Sequence, residues 1–146
     1  MHVVVVMPAR NEEVLISESI TSIPDKVDWI VVVDDGSTDN TRNLAENALG
    51  DRGDVISTSG LGVGGAIEGG SKNALTRFGR NCVVVVMAGD GQMDPSDLPA
   101  VIRPVIEGRA DHVKGNRWLH PDGAKGCLLY TSPSPRDATL SRMPSS

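Results

Sequence analysis

Valine-rich runs alternate with amphipathic segments along most of the chain. These runs predict five β-strands, at residues 2–7, 28–33, 54–58, 82–87 and 110–114. Between the strands, apolar side chains recur at helical spacing, most clearly in the segment that ends at Gly108. Because short strands and helices alternate at such close intervals, the pattern predicts an α/β fold with a mainly parallel sheet and crossover helices.

Polar and special residues predict where the helices begin and end. Asn11 is predicted to cap the first helix, whose apolar run stops at Pro24. Gly50 is predicted to close the second helix, and Asp94 to cap the helix that begins at Pro95. The chain therefore divides into elements without an interdomain linker, as expected for a single domain.

Three of the predicted strands are followed by polar or acidic loops, at residues 8–12, 33–39 and 88–94. The carboxyl ends of parallel strands lie at one edge of a sheet, so these three loops are predicted to converge there. Ligands of open α/β sheets bind at this edge. The pattern therefore predicts a binding site formed by segments that are far apart in the sequence.

The loop after the fourth strand has the chemistry of a metal site. Residues 83–86 are four consecutive valines, which indicates a strand buried on both faces, and Asp90 follows shortly after it. Carboxylate oxygens are ligands that Mg²⁺ and Mn²⁺ prefer, usually together with water and phosphate. We therefore interpret Asp90 as a ligand-binding residue, and Asp94 as a helix cap.

Two other motifs have less specific interpretations. Asp34 and Asp35 are adjacent carboxylates, a pair that a protein retains when one of them contacts a ligand or caps a helix, and Asp35 is the candidate ligand contact. Gly60, Gly62 and Gly65 match a dinucleotide-binding fingerprint, but they follow the third strand instead of the first. The glycines therefore predict a backbone-rich loop beside a ligand, without identifying the ligand.

Composition narrows the class of protein. The chain has 146 residues, 39% of them hydrophobic, and a formal net charge of −5, which argues against a nucleic-acid partner. Its two cysteines provide neither a disulfide framework nor a metal-spaced pair. It contains no apolar run of membrane-spanning length and no secretory pattern at the start, so the expected location is the cytoplasm.

The last 20 residues differ from the rest in composition. Residues 127–137 read CLLYTSPSPRD, which is what a common sequencing-library adapter would encode, and residues 138–146 are consistent with its continuation. The hypothesis is that residues 127–146 are an artefactual disordered tail; a natural Ser/Pro-rich tail is the alternative. The fold prediction therefore concerns residues 1–126.

Three segments together resemble one family. Residues 3–12 (VVVVMPARNE), 31–39 (VVVDDGSTD) and 88–95 (AGDGQMDP) resemble the inverting GT-A glycosyltransferases of family 2. Within that family they are most similar to the polyprenyl-phosphate (dolichyl-phosphate) mannosyl- and glucosyltransferases. The resemblance implies a Rossmann-like (GT-A) three-layer α/β/α fold, of which residues 1–126 would form an incomplete N-terminal half.

The resemblance also implies an activity and a site. Such enzymes transfer a sugar from a nucleoside diphosphate sugar, of the GDP-mannose or UDP-glucose class, with Mg²⁺ or Mn²⁺ on the diphosphate. The acceptor expected for this branch is a polyprenyl phosphate, at the cytoplasmic face of a membrane in the full-length parent. Asp90 and Gln92 would contact the metal. The implied substrate-binding residues are Pro8, Arg10, Glu12, Val33, Asp35, Ala88, Gly89, Asp90 and Arg117.

One departure from the family pattern leaves alternatives open. The family usually has Asp-x-Asp where this chain has Ala88-Gly89-Asp90, so the first carboxylate is missing. The catalytic residues belong to the acceptor half and are not identified, and the fragment alone is expected to be inactive. A sugar-nucleotide nucleotidyltransferase and a non-catalytic nucleotide-binding module remain the alternative functions.

Overall fold

A computed structural model describes residues 1–89, 94–111, 113–114 and 130–132. In those ranges six strands and four α-helices alternate along the chain. The strands are β1 His2–Ala9, β2 Trp29–Asp34, β3 Gly53–Ser57, β4 Cys82–Val86, β5 Val113–Lys114 and β6 Tyr130–Ser132. The helices are α1 Ile16–Thr21, α2 Thr41–Leu49, α3 Gly62–Phe78 and α4 Leu98–Ile106.

The strands form one sheet in the order β3-β2-β1-β4-β6-β5. The first four strands in this order are parallel, with β1 at the centre between β2 and β4. The two short strands at the other side pair antiparallel, β6 with β4 and β5 with β6. The predicted mainly parallel sheet is therefore confirmed, and the carboxyl ends of β1 to β4 share one edge.

Valine-rich strands occupy the centre because both of their faces are covered. Side chains of β1, β2 and β4 that point to one face pack with α1, α2 and α4 in the larger apolar cluster. The alternate side chains pack with α3 in the smaller cluster on the opposite face. All five residues of β4 are buried, as its continuous apolar run predicts. The result is a three-layer α/β/α arrangement.

Close packing of α3 on the sheet depends on Gly70. A Cβ atom added at this position would lie 2.4 Å from Val6 Cγ1 and 3.0 Å from Val33 Cγ2. Both valines belong to the fully buried part of the sheet. The missing side chain of Gly70 therefore allows the α3 backbone to approach β1 and β2 closely.

The first helix begins later than its sequence predicts. Asn11 was expected to be the N-cap, but α1 starts at Ile16 and its N-cap residue is Leu15. Asn11 instead has a positive φ of 54° and bonds to the loop after β2. The N-cap prediction for Asn11 is wrong because tertiary hydrogen bonds use its side chain and backbone. The ends of the other helices, at Gly50 and Gly108, agree with the predictions.

One strand lies in the C-terminal segment whose composition differs from the rest of the chain. Strand β6 lies within residues 127–146, for which an artefactual origin was hypothesised, and pairs with β4 at Val84–Val86. The artefactual origin of that segment stays a prediction.

Within the described ranges, no helix is long and apolar enough to cross a membrane.

Candidate functional site

Four strand ends are joined by backbone hydrogen bonds at the carboxyl edge of the sheet. The Asp35 N–H donates to the Ala9 carbonyl at 3.0 Å, and the Gly89 N–H donates to the Pro8 carbonyl at 3.2 Å. The Thr58 N–H donates to the Asp34 carbonyl at 2.9 Å. The segments leaving β1, β2, β3 and β4 therefore begin side by side. This confirms the predicted convergence for the parts of the loops that the structure describes.

The β1 loop (residues 10–13) and the β2 loop (residues 35–40) are hydrogen-bonded to each other and to the start of α2. The Glu12 N–H donates to Thr41 Oγ1 at 2.9 Å, and the Asn40 N–H donates to Glu13 Oε2 at 3.2 Å. Thr41 is fully buried, and its hydroxyl donates in turn to Asp39 Oδ1. This bond is the main reason that the pKa of Asp39 is lowered.

Asp34 and Asp35 are both buried, and both are hydrogen-bonded. Asp34 Oδ1 accepts the Ser37 N–H at 3.0 Å, which closes a local turn in the β2 loop. Asp35 instead faces the segment between β3 and α3. Its Oδ1 accepts the Thr58 hydroxyl at 2.5 Å, and its Oδ2 accepts the Gly62 N–H at 2.8 Å.

The environment of Asp35 favours its ionised form. The pKa of Asp35 is lowered mainly by the hydrogen bond from Thr58, with further contributions from the backbone N–H groups of Leu61 and Gly62. The Arg10 guanidinium lowers this pKa further through its charge, whereas burial opposes the shift. The start of α3 and the charge of Arg10 therefore both favour the anionic form of Asp35.

The glycine motif shapes the turn that Asp35 holds. Gly60 and Gly62 have positive φ values of 66° and 82°, which glycine adopts without a steric penalty. A Cβ atom at Gly65 would lie 2.5 Å from the Cβ of Leu61, so the first turn of α3 requires a glycine there. In this structure the motif brings backbone N–H groups to a carboxylate of the protein itself.

A hydrogen bond and close packing fix the position of Gly89, the last described residue before the predicted metal-binding loop. The Gly89 carbonyl accepts the Ser19 hydroxyl at 3.3 Å, and a Cβ atom at Gly89 would lie 2.8 Å from Ile16 Cδ1. Ala88 is half-buried beside it. A side chain at position 89 would therefore press on the end of the Ile16 side chain of α1, so glycine fits directly before Asp90 without displacing it.

Three predicted site residues, Asp90, Gln92 and Arg117, lie outside the described residues. On the far side of that loop, Asp94 Oδ1 accepts the Ser96 N–H at 2.9 Å and caps the helical turn Pro95–Asp97. The interpretation of Asp94 as a helix cap is therefore confirmed.

The remaining predicted residues are placed differently from one another. Pro8 is buried, Glu12 is half-buried and Arg10 is exposed at the same edge. Val33 is fully buried in the core cluster beneath α3, where its Cγ2 faces Gly70. The structure thus places Pro8, Arg10 and Glu12 where β1 ends, next to the backbone of Asp35, but it directs the Val33 side chain to the core.

The metal that the resemblance implies requires oxygen ligands. Within the described residues, no cluster of three His, Cys, Asp or Glu side chains could hold a metal ion. The carboxylate of Asp90 and the amide oxygen of Gln92 are hard donors of the kind that Mg²⁺ and Mn²⁺ prefer. Asp90 also directly follows Gly89 at the carboxyl edge, so the donor set and its place in the chain fit a divalent cation.

Three residues organise this edge through hydrogen bonds that the sequence did not predict: Asn11, Thr41 and Thr58. Each uses a side-chain oxygen in a hydrogen bond between segments at least 23 positions apart in the chain. The sequence feature that could have identified these residues is a polar side chain directly after a strand or at the start of a helix. This feature does not identify the partner, because the partner belongs to another strand end.

The mainly parallel sheet between two helical layers is an α/β fold of the GT-A type, which the similar solved structures share. The sequence matches the family described as glycosyl transferase family 2 over residues 4–143, and the chain belongs to this family. This match extends past residue 126 and lends no support to an adapter origin of the last 20 residues.

Two curated relatives illustrate the similarity. An uncharacterized protein of Methanocaldococcus jannaschii is 34% identical over 128 residues, which cover 86% of this chain and 50% of the relative. The UDP-N-acetylglucosamine–dolichyl-phosphate N-acetylglucosaminyltransferase of Methanococcus voltae is 32% identical, with 85% of this chain and 55% of the relative covered. The chain therefore spans about half the length of these relatives.

Solved structures of glucosyl-3-phosphoglycerate synthase from Mycobacterium tuberculosis have the same fold. One is 30% identical, with a TM-score of 0.61, and the match covers 77% of this chain and 43% of the synthase. A structure of that synthase with Mn²⁺, UDP-glucose and phosphoglyceric acid is 27% identical, with a TM-score of 0.60 and coverages of 77% and 42%.

Proposed function

We propose that this chain forms the donor-binding part of an inverting, metal-dependent glycosyltransferase. It binds a nucleoside diphosphate sugar at the carboxyl edge of the sheet, together with Mg²⁺ or Mn²⁺. The acceptor is a polyprenyl phosphate. The observation that carries the proposal is the hydrogen-bonded convergence of the β1, β2 and β4 ends, because this convergence brings Arg10, Glu12 and Asp35 to the segment that leads into Asp90.

The names of similar proteins support the donor and the metal. The synthase of known structure was crystallised with UDP-glucose and Mn²⁺, and another of its structures holds UDP and Mg²⁺. A relative is named as a dolichyl-phosphate transferase that uses UDP-N-acetylglucosamine. Both donors are uridine diphosphate sugars, so UDP-glucose is the first donor to test.

The nucleoside would lie against the paired β1 and β2 loops. Pro8 and Glu12 would line the pocket on one side. On the other side, Asp35 Oδ2, which accepts the Gly62 N–H, would offer its second lone pair to the nucleoside. Arg10 provides a positive charge at the exposed rim. Val33 on β2 and Ala88, which follows β4, would contribute to the floor of the pocket through their backbone atoms, because the Val33 side chain faces the core. Gly89 connects this floor to Asp90.

The diphosphate would be bound by Asp90 and Gln92 through the metal, and by Arg117 directly. When bound, the metal stabilises the negative charge that develops on the leaving diphosphate. Arg117 offers a planar guanidinium that pairs with phosphate oxygens in a bidentate manner. With one carboxylate in place of the usual two, Asp90 would hold the cation more weakly than a paired site would.

A polyprenyl phosphate acceptor suits a site without an identified general base. Its phosphate oxygen is already anionic near neutral pH, so the attack on the anomeric carbon requires little proton removal. Attack from the face opposite to the leaving diphosphate inverts the configuration at that carbon. The residues that bind the acceptor and complete catalysis are not assigned to this chain.

Isothermal titration calorimetry of the 146-residue chain tests the proposal. Donor binding is measured instead of sugar transfer, because the chain spans about half the length of its relatives. UDP-glucose and GDP-mannose are titrated with and without Mn²⁺, and UTP serves as the control nucleotide. We expect Mn²⁺-dependent binding of a diphosphate sugar.

Two other outcomes would favour the alternative functions. Tighter binding of UTP than of either diphosphate sugar would favour a sugar-nucleotide nucleotidyltransferase. Binding that is the same with and without Mn²⁺ would favour a non-catalytic nucleotide-binding module, which the missing first carboxylate permits.

A further inference from the structure

Asn11 has an unusual backbone conformation within the described residues. Apart from glycines, it is the only residue in those ranges with a positive φ, which is 54°. This left-handed conformation is disfavoured for most L-residues, and asparagine tolerates it better than they do. The residue lies between Arg10 and Glu12, both of which belong to the proposed nucleoside pocket. Its conformation therefore determines the directions in which these two neighbours leave the backbone.

Hydrogen bonds from the β2 loop hold Asn11 in this conformation. The Asn11 N–H donates to Ser37 Oγ at 2.9 Å, and Asn11 Oδ1 accepts the Thr38 N–H at 2.9 Å. The Thr38 hydroxyl also approaches the same oxygen at 3.4 Å. The backbone and the side chain of Asn11 thus bond to adjacent residues of the opposite loop. This reciprocal pairing specifies both the distance between the loops and the orientation of residue 11.

The pairing continues on the C-terminal side of Asn11. The Glu13 N–H donates to Asp39 Oδ2 at 3.4 Å, and the Asn40 N–H donates to Glu13 Oε2 at 3.2 Å. Backbone N–H groups of the β1 loop therefore bond to side chains of the β2 loop, and the reverse also occurs. We call this set of bonds between residues 11–13 and residues 37–41 the loop clasp.

We propose that Asn11 is a positioning residue of the donor site. Through the loop clasp it holds Arg10 and Glu12 against the loop that follows Asp35, and so shapes the pocket for the nucleoside before the donor binds. This inference rests on the proposed function. Asn11 acts through its neighbours because its own amide oxygen is used by Thr38, and its own N–H by Ser37.

Three substitutions separate the backbone from the side chain of Asn11. Asn11→Ala removes the amide oxygen and disfavours the positive φ, whereas Asn11→Gly removes the oxygen but permits that φ. Asn11→Asp keeps an oxygen that accepts the Thr38 N–H, and aspartate also tolerates the left-handed backbone conformation. Asn47→Ala is the matched control, because Asn47 is exposed on α2 and lies outside the loop clasp.

Two measurements on the 146-residue chain test the proposal. Amide hydrogen exchange, followed by ¹⁵N NMR, reports whether the Thr38 N–H is still protected. Calorimetry with UDP-glucose and Mn²⁺ reports donor binding. In Asn11→Ala we expect Thr38 exchange to become about tenfold faster and the Kd to rise about tenfold. Asn11→Gly should show the faster exchange with a smaller rise in Kd, and Asn11→Asp and Asn47→Ala should stay within about twofold of the wild type.

The two measurements distinguish this proposal from the proposed function. If the wild-type chain does not bind UDP-glucose or GDP-mannose with Mn²⁺, the proposed function fails, and hydrogen exchange alone then decides whether Asn11 joins the loops. Unchanged Thr38 exchange in both Asn11→Ala and Asn11→Gly would overturn the proposal. Faster exchange with an unchanged Kd would also overturn it, because Asn11 would then join the loops without positioning the donor site.

A further variant covers the case in which Asn11→Ala does not fold. Ser37→Ala leaves the backbone of residue 11 unaltered and removes only the acceptor of its N–H. We expect Ser37→Ala to weaken donor binding less than Asn11→Ala would, with faster exchange of the Asn11 N–H. If Ser37→Ala had the wild-type Kd and the wild-type exchange rate of the Asn11 N–H, these results would contradict the proposal.

Discussion

Asp35 Oδ2 accepts the backbone N–H of Gly62 at 2.8 Å and thereby joins the end of β2 to the first residue of α3. The other carboxylate oxygen accepts hydrogen bonds from Leu61 and Thr58. A negative charge at this place also interacts favourably with the positive end of the helix dipole of α3. Asp35 therefore stabilises the fold at the same edge where it is proposed to bind a nucleoside.

We expect Asp35→Asn to lower the melting temperature by several degrees. The asparagine has one oxygen and one NH₂ group, so it cannot accept from Gly62 on one side and from Leu61 and Thr58 on the other. A buried donor left facing another donor destabilises the folded state. Thermal unfolding followed by circular dichroism measures the effect. Asp51→Asn, on an exposed turn, is the control and should unfold like the wild type.

The stability of the wild type should depend on pH below the usual range of aspartate. The pKa of Asp35 is lower in the folded state than its ordinary value of about 3.9, so its contribution is present above that pH. As the pH falls through the folded-state pKa, the carboxylate becomes protonated and the contribution is lost. The melting temperature of the wild type should therefore fall more steeply under acid conditions than that of Asp35→Asn. Parallel pH profiles of the two proteins would contradict this prediction.

Gly70→Ala is expected to destabilise the protein by about 1–3 kcal/mol, because the added methyl group overpacks the contact of α3 with Val6 and Val33. Urea unfolding at equilibrium measures the change. Gly64→Ala is the matched control on the same helix, since a Cβ atom there meets no other atom within 4 Å. This control should be neutral or stabilising by up to about 1 kcal/mol. Equal destabilisation by both substitutions would indicate that the contact with the sheet is not the cause.

Asp90→Ala should abolish the increase in UDP-glucose affinity that Mn²⁺ produces, because it removes the proposed carboxylate ligand. Calorimetry with and without Mn²⁺ measures this difference. Asp94→Ala is the control in the same loop. It removes a helix cap, so it should cost about 1 kcal/mol of stability while leaving the Mn²⁺ effect intact. Retention of the full Mn²⁺ effect in Asp90→Ala would refute Asp90 as the chief metal ligand.

Much of the fold follows from local patterns in the sequence. Continuous valine runs specify the strands that are buried on both faces, and the alternation of strands with amphipathic segments implies parallel pairing. Gly50 and Gly108 end helices because both can adopt positive φ. Asp94 caps a helical turn through a bond to Ser96, two residues away. These features were predictable because the interacting residues are neighbours in the chain.

Other features depend on contacts between distant segments, which a single sequence does not specify. Asn11 resembles a helix cap locally, but Ser37 and Thr38 hold it in a left-handed conformation within the loop clasp. Val33 was predicted as a substrate contact, yet the approach of α3 at Gly70 buries its side chain.

The candidate site also combines features that the sequence predicts with features that depend on contacts between distant segments. From the sequence alone, the acidic and polar residues after the strands could be assigned to one edge of a parallel sheet, and a family resemblance could be recognised. Only the tertiary structure decided that Asp35 bonds to the start of α3 and that the β1 and β2 loops are clasped together. The reason is physical: a hydrogen-bonding side chain can satisfy several partners equally well, and the packing of the helices on the sheet selects which partner lies within reach.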